Sequence, residues 1–231
     1  MNNFLFTCLL LISFGSAYTQ LTKKDPIINL QTYDKSLLNW GYFLGFNRFD
    51  FQFEYENDNP DILVEQTYGF NVGLIGEMRI NDFFDIRLEP GLFYSLRNLE
   101  FDGFTDEQDA LRDVRSTYIR FPLLLKISTK RYNNFKPFLS VGGYSAINLS
   151  AKEDSPDDNA SGEFRMVKNS YGYELGFGIE IYTEYFKFTP SIRGVFGLTD
   201  ELLRDDDPNS PWTSNINAMR TRGIFINFTF E

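Results

Sequence analysis

The chain has no histidine and a single cysteine, Cys8, among 231 residues. The first absence excludes Ser-His-Asp and Asp-His catalysis and imidazole ligands for a metal. The second leaves little room for thiolate chemistry or disulfides, since Cys8 lies in an apolar N-terminal run of the kind removed on export. Beyond that run no apolar stretch approaches the ~20 residues of a transmembrane helix. Bases are in deficit, 22 Lys and Arg against 32 Asp and Glu, and the net charge of −10 argues against binding nucleic acid by phosphate neutralisation. A carboxylate pair or a Ser-Lys dyad is chemically open, but no motif marks one. Neither catalysis nor a cofactor is expected.

Aromatics are plentiful instead, with 25 Phe and 13 Tyr bringing their share to 17%. Mean hydropathy is nevertheless −0.30. Both hold at once when apolar residues alternate with polar ones, the period of a strand with two unlike faces. In RGIFINFTFE (Arg222–Glu231), Ile224, Ile226, Phe228 and Phe230 alternate with Phe225, Asn227 and Thr229. Five other segments keep this period: Tyr68–Arg79, Phe84–Arg97, Tyr118–Ile127, Tyr171–Ile181 and Lys187–Leu198. Two less regular ones, Trp40–Phe53 and Pro137–Leu149, make eight. In Trp40–Phe53 the apolar set slips phase after Phe46 and continues as Phe49, Phe51 and Phe53, which predicts a bulge. Pro90, Pro122 and Pro190 fall inside strand patterns, where each removes a ladder donor.

Phe4–Phe14 (FLFTCLLLISF) followed by Gly15, Ser16 and Ala17 reads as a signal peptide over residues 1–19, although its leading MNN carries no base. Cleavage is expected after Ala17 or Thr19. The remainder divides into an N-terminal segment, 20–38, and a barrel, 39–231. The connections alternate between long (Glu56–Gln66, Asp102–Val114, Ser150–Lys168, Asp200–Met219) and short (Asn81–Phe83, Thr129–Lys136, Thr183–Phe186). That rhythm is the one of bacterial outer-membrane barrels, whose short turns are periplasmic and long loops external. The expected fold is therefore all-β: an eight-stranded antiparallel transmembrane up-and-down β-barrel of the outer-membrane type, with both termini periplasmic and lipid around the wall.

Charge follows the same alternation. On the five regular segments the apolar parity carries no charged residue. The other parity carries Glu77, Asp85, Glu89, Glu174 and Glu180 with Arg79, Arg87, Arg97, Arg120, Lys126, Lys187 and Arg193. A soluble sandwich would also put charge outside its core, but it explains neither the export signal nor the loop rhythm. An eight-stranded barrel has an interior that side chains just fill. These residues are thus expected to form a salt-bridged lumen network rather than line a pore, because a buried ion needs a partner.

The external loops hold two acidic stretches, EDSPDDN (Glu153–Asn159) and RDDDPNS (Arg204–Ser210). Neither has the spacing that aims several carboxylates at one calcium ion, so no metal site is expected. DPNSPWT (Asp207–Thr213) sets Trp212 in a proline-stiffened loop, suited either to a partner contact or to an interfacial anchor. Ile27 and Ile28 are too apolar for a mere tether and are further candidate partner contacts.

YIRFPLLLK (Tyr118–Lys126) and KPFLSVGG (Lys136–Gly143) resemble the small barrels abundant in Bacteroidetes. NWGYFLGFN (Asn39–Asn47), SGEFRM (Ser161–Met166), YFKFTPSIRGVFGLTDEL (Tyr185–Leu202), DPNSPWT and RGIFINFTF together resemble the PorT (SprT) family. The resemblance runs from about Asp25 to the C-terminus. It implies a non-enzymatic outer-membrane accessory of type IX protein secretion and, in gliding species, of motility, with other components of that machinery as partners. The family offers no catalytic residue to carry over. Unlike barrels that end on an aromatic residue, this chain ends on Glu231. A passive small porin or ligand-binding barrel is the alternative.

Overall fold

A computed structural model describes residues 27–57 and 62–231. The expected signal peptide, Cys8 and the start of the N-terminal segment lie outside the described residues. Ten strands follow in order: β1 (Leu38–Tyr55), β2 (Ile62–Gln66), β3 (Tyr68–Arg79), β4 (Phe84–Leu88), β5 (Gly91–Phe101), β6 (Leu111–Ser128), β7 (Phe135–Asn148), β8 (Asn169–Tyr182), β9 (Lys187–Gly197) and β10 (Ile216–Phe230). β2 continues into β3 across Thr67, and β4 into β5 across Glu89 and Pro90, so the wall has eight positions. Every pairing is antiparallel between neighbours, and β1 closes the ring on β10 from Tyr42↔Phe230 to Glu54↔Ala218. The short turns and both ends of the described chain gather at one end, called here the turn end. At one of them Asn81 Oδ1 accepts from the N–H groups of Phe83 and Phe84. The other end is the loop end.

β1 corrects the expected bulge. Its register on β10 is unbroken from Tyr42 to Glu54, with a shift only at Glu54/Tyr55. Trp40, Tyr42, Leu44 and Phe46 face out and are exposed; Arg48, Gln52 and Glu54 occupy the same outer parity. Phe43, Phe49 and Phe51 all face in and are buried. The faces exchange polarity because the strand runs past the apolar band. Within the band the outside is aromatic, and beyond it the outside is wet and the inside becomes a core. The outer charges there pair across the seam, Arg222 with Asp50 at 2.7 Å and Arg220 with Glu54.

A phase change does occur one wall position later. Ile62↔Phe101 and Phe70↔Tyr94 differ by one residue in register, so Thr67 is a bulge. Its hydroxyl donates to the Leu96 carbonyl. Above it Ile62 and Val64 pack on the inner core; below it Asn71, Ile75 and Glu77 face in. Two expected loops are also shorter than their polarity suggests, since 62–66 and 111–114 belong to strands.

The prolines interrupt the ladder without shifting it. Pro90 lies in the β4–β5 break opposite Phe121 and Pro122, yet Leu88↔Leu123 and Gly91↔Arg120 keep one register. The carbonyls still bond, Leu74 N–H to Pro90 O at 2.9 Å and Glu89 N–H to Pro122 O at 3.2 Å. At Pro190 the β8–β9 pairing lapses between Gly178↔Ser191 and Ile181↔Phe188, again in one register.

Leu175 stands in the middle of the exposed band while its neighbour Glu174 is buried in the lumen. Leu175→Arg should destabilise the barrel by about 2–4 kcal/mol, as for Arg near a bilayer midplane. Leu175→Phe should be nearly neutral. Urea unfolding in liposomes, read by heat-modifiable gel mobility, checks both.

Candidate functional site

The lumen is filled in layers. Nearest the turn end, Glu77 (β3), Asp85 and Arg87 (β4), Lys126 (β6), Glu180 (β8) and Lys187 (β9) converge, all buried. Lys126 Nζ lies 2.7 Å from Glu77 Oε2 and 2.7 Å from Glu180 Oε1. Arg87 reaches Glu77 at 2.6 Å, Lys187 reaches Glu180 at 3.0 Å, and Asp85 lies 3.2 Å from Lys126. One layer deeper, Arg193 bridges Glu89 and Glu174, and Arg120 donates to Glu174 at 2.8 Å. Arg87 to Glu89, at 3.4 Å, joins the two layers. Signs alternate along the whole chain of contacts. That order is what lets ions remain charged there, since an unpaired one costs several kcal/mol.

Arg120 also begins the next layer. Its guanidinium lies 3.8 Å from the centre of the Tyr144 ring and 4.9 Å from that of Phe225. Phe43, Phe49, Phe93, Tyr118 and Phe225 pack around it with ring centres 5.1–6.0 Å apart. Gly73 is small for this reason, because a Cβ there would come within 2.5 Å of the Phe43 ring. On the β1–β3–β10 side, Asn47 donates to Asn71 and Asn71 to Asn227.

Arg97 crowns the aromatics, 3.7 Å from the Phe51 ring centre and donating to Ser116 at 2.6 Å. Glu201, from the β9–β10 loop, is buried beside it and accepts from Tyr118 Oη at 3.1 Å. Burial raises the Glu201 carboxyl above the usual carboxylate range, opposed by the Arg97 charge and by hydrogen bonds from Thr221 and Tyr118. Above this level Phe51, Leu99, Val114, Met166, Leu202 and Met219 form an apolar core that joins the strand tops to the loops as a cap.

The turn end is covered as well. The stretch from Ile27 folds back under the barrel through a 3-10 turn at Tyr33–Lys35. Asp34 accepts from Arg131 at 2.9 Å and from the Tyr182 hydroxyl at 2.7 Å. Asn29 is held by Asn134 and by the Tyr182 carbonyl. Tyr33 lies over the Lys187 ammonium, 4.9 Å from ring centre to Nζ, and burial raises its phenol above the ordinary value.

Of the charged residues picked from the alternation, Glu77, Asp85, Arg87, Glu89, Arg120, Lys126, Glu174, Glu180, Lys187 and Arg193 thus share one network. Arg97 stands apart from it behind the aromatic layer. Arg79 does not join: it sits at the rim and pairs with Asp82, because β3 has by then left the lumen for the turn. Two buried carboxylates were missed, one inside the network and one beside Arg97. Glu231 places its carboxylate 3.0 Å from Lys187 and 3.3 Å from Arg87, with its side chain fully enclosed. It continues the inward parity of Phe225, Asn227 and Thr229, so the signal was available. Glu201 had none, being a loop residue.

Trp212 stacks on Phe104 with ring centres 5.1 Å apart, donates from Nε1 to the Asp109 carbonyl and lies under Arg112. It is taken up by the cap's own packing rather than standing free or facing lipid. Ile27 and Ile28 remain exposed. The two acidic loops meet through Asn159, whose amide donates to Asp205 at 2.9 Å, while Ser210 and Thr213 bond the same carboxylate. Among the described residues no group of three or more acidic, His or Cys side chains could hold a metal.

The model of one protein family, described as the outer membrane protein beta-barrel domain, matches residues 20–203. No curated protein matches the chain. Among solved structures, the N-terminal β-barrel domain of Pseudomonas aeruginosa OprF is similar at 14% identity and TM-score 0.38, over 83% of this chain and 97% of that one. P. aeruginosa OprG is similar at 13% identity and TM-score 0.44, over 83% and 94%. Ail, the attachment invasion locus protein of Yersinia pestis, is similar at 8% identity and TM-score 0.38, over 83% and 96%.

Lys126→Met removes the cation between Glu77 and Glu180 and should cost about 3–5 kcal/mol. Adding Glu180→Gln to it should recover part of that loss, a coupling that a double-mutant cycle of urea unfolding would reveal. With both ends covered and the lumen filled, the purified protein should show no stable open conductance in planar bilayers.

Proposed function

The chain belongs to the outer membrane protein beta-barrel domain family, and on that premise we propose that it is a non-enzymatic accessory of type IX protein secretion, and of gliding motility where that occurs, acting in the assembly or working of the export machinery. The observation that carries the reading is the filled interior. A barrel whose lumen is closed by paired ions, packed rings and a cover at each end has only its surfaces left to work with. Scaffolding a machine uses surfaces, whereas a passive porin needs the lumen. The direction toward secretion comes from Asn39–Asn47, Ser161–Met166, Tyr185–Leu202, Asp207–Thr213 and the terminal strand, which resemble the PorT (SprT) family. In this reading the protein sits in the outer membrane of a Bacteroidetes cell. Both termini are periplasmic and the cap is extracellular, and its partners are other components of the same machinery.

A deletion strain should lose secretion of type IX substrates while keeping other outer-membrane proteins. Normal secretion would leave only the small-barrel reading. Cysteines at Asp157→Cys and Asp206→Cys should react with an impermeant maleimide on intact cells, and one at Asn81→Cys should not. Replacing Ile27 and Ile28 by Ser should leave the barrel folded and reduce secretion, since both side chains are exposed and neither belongs to the buried core. If secretion is unchanged, the partner surface lies elsewhere.

A further inference from the structure

The wall is not paired along its whole height. β6 pairs with β5 up to Glu100↔Leu111, but its pairing with β7 begins only at Tyr118↔Asn148. One bond continues above that, Leu149 N–H to the Thr117 carbonyl at 2.8 Å. In an antiparallel strand alternate residues turn their N–H and C=O to opposite neighbours. Thr117 bonds toward β7, while Pro122 O and Ser128 N bond toward the β4–β5 side. Odd-numbered residues of β6 therefore point toward β7. At Asp113 and Arg115 β7 has ended, and among the described residues no strand partner meets them there. Their side chains are exposed on the outer face, above the lipid-facing Ile119 and Phe121.

A groove of about 690 Å³ runs along this edge. Val114, Phe164 and Met166 contribute apolar surface to it, and the Lys152–Glu163 ion pair stands in its lining. An exposed row of unpaired backbone donors and acceptors is a template for another strand. Such an edge could not persist within lipid, which demands that backbone groups be satisfied; beyond the apolar band it can.

We propose that the Arg112–Ser116 edge of β6 is a strand-addition site that takes an extended polypeptide of about five residues in antiparallel register. The edge spans ~17 Å at 3.3–3.4 Å per residue. Backbone bonding at Asp113 and Arg115 supplies the attachment, and side chains select the segment. The residue across from Val114 points toward the apolar part of the groove and should be aliphatic. Those across from Asp113 and Arg115 point outward, where a basic and an acidic residue complement them. The site does not rest on the secretion reading.

The probe is acetyl-Val-Glu-Val-Lys-Val-amide, whose antiparallel docking sets its Glu against Arg115 and its Lys against Asp113. In nanodiscs, the amides of Asp113 and Arg115 should exchange rapidly in the free full-length protein and become protected when the peptide is added, while those of Val114 and Ser116 stay protected throughout. Arg115→Pro deletes a donor on the open edge and none on the β5 ladder. It should weaken peptide binding about tenfold with thermal stability retained, whereas Arg115→Ala, which keeps the N–H and loses only a solvent-exposed ion pair to the peptide Glu, should weaken it far less. Protection of Asp113 and Arg115 without peptide would show that the edge is already covered and would overturn the proposal. So would no change in their exchange at millimolar peptide, or equal binding by the Pro and Ala variants.

Discussion

The closure of β1 on β10 is the constraint on which the remaining structure depends. A sheet in lipid cannot leave an edge, because its N–H and C=O groups would find no water. Closing the ring satisfies them but creates an interior too narrow to stay empty and too wide to be only backbone. Every lumen residue then follows from how that space is filled. Near the turn end it is filled by ions of alternating sign, at mid-height by rings around Arg120, and toward the loops by aliphatic and aromatic side chains. β10, the strand that closes the ring, also pairs with β9, and that pairing puts Glu231 opposite Lys187, where their backbones exchange bonds of 2.8 and 3.0 Å. The seam and the charge cluster are therefore completed together.

Period-two alternation made the eight wall positions and most of the lumen network legible. It works because a strand between lipid and lumen has one chemistry on each side. It misled where that condition ends. In β1 the apolar residues move from the outer parity to the inner one between Phe46 and Phe49, which in sequence looks like a slipped register. In three dimensions the strand is continuous and its surroundings change. At Thr67 the register truly slips, but the residues around it, Glu65, Gln66 and Tyr68, are polar or aromatic on both parities and hide the event. Loop residues such as Glu201 carry no periodicity, so their burial depends on a tertiary fold that local pattern cannot report.

The two covers differ in kind. The cap has its own apolar core and is an extension of the wall above the band. The turn-end cover is polar and is held by Asp34, Asn29 and their partners Arg131, Tyr182 and Asn134. Cap packing resists opening through buried area, and the lower cover through oriented hydrogen bonds, which water can replace at modest cost. Of the two, the lower cover is the one whose opening exposes the ion cluster first.

The face exchange in β1 and β6 also sets how much bilayer the protein can match. On β6 the outward apolar run is Ile119, Phe121, Leu123, Leu125 and Ile127, bounded on the loop side by Thr117 and Arg115. Nine residues at ~3.3 Å span about 30 Å along the strand, and a tilt of ~45° reduces that to roughly 21 Å of hydrocarbon. This is a short hydrophobic height. A thick, sterol-like bilayer would have to thin around the wall or draw Arg115 and the Arg222–Asp50 pair into its acyl region, whereas short-chain lipids meet the protein without distortion. The point at which aromatic residues cross from the outside of β1 to its inside thus records the thickness of the membrane in which this barrel is at rest.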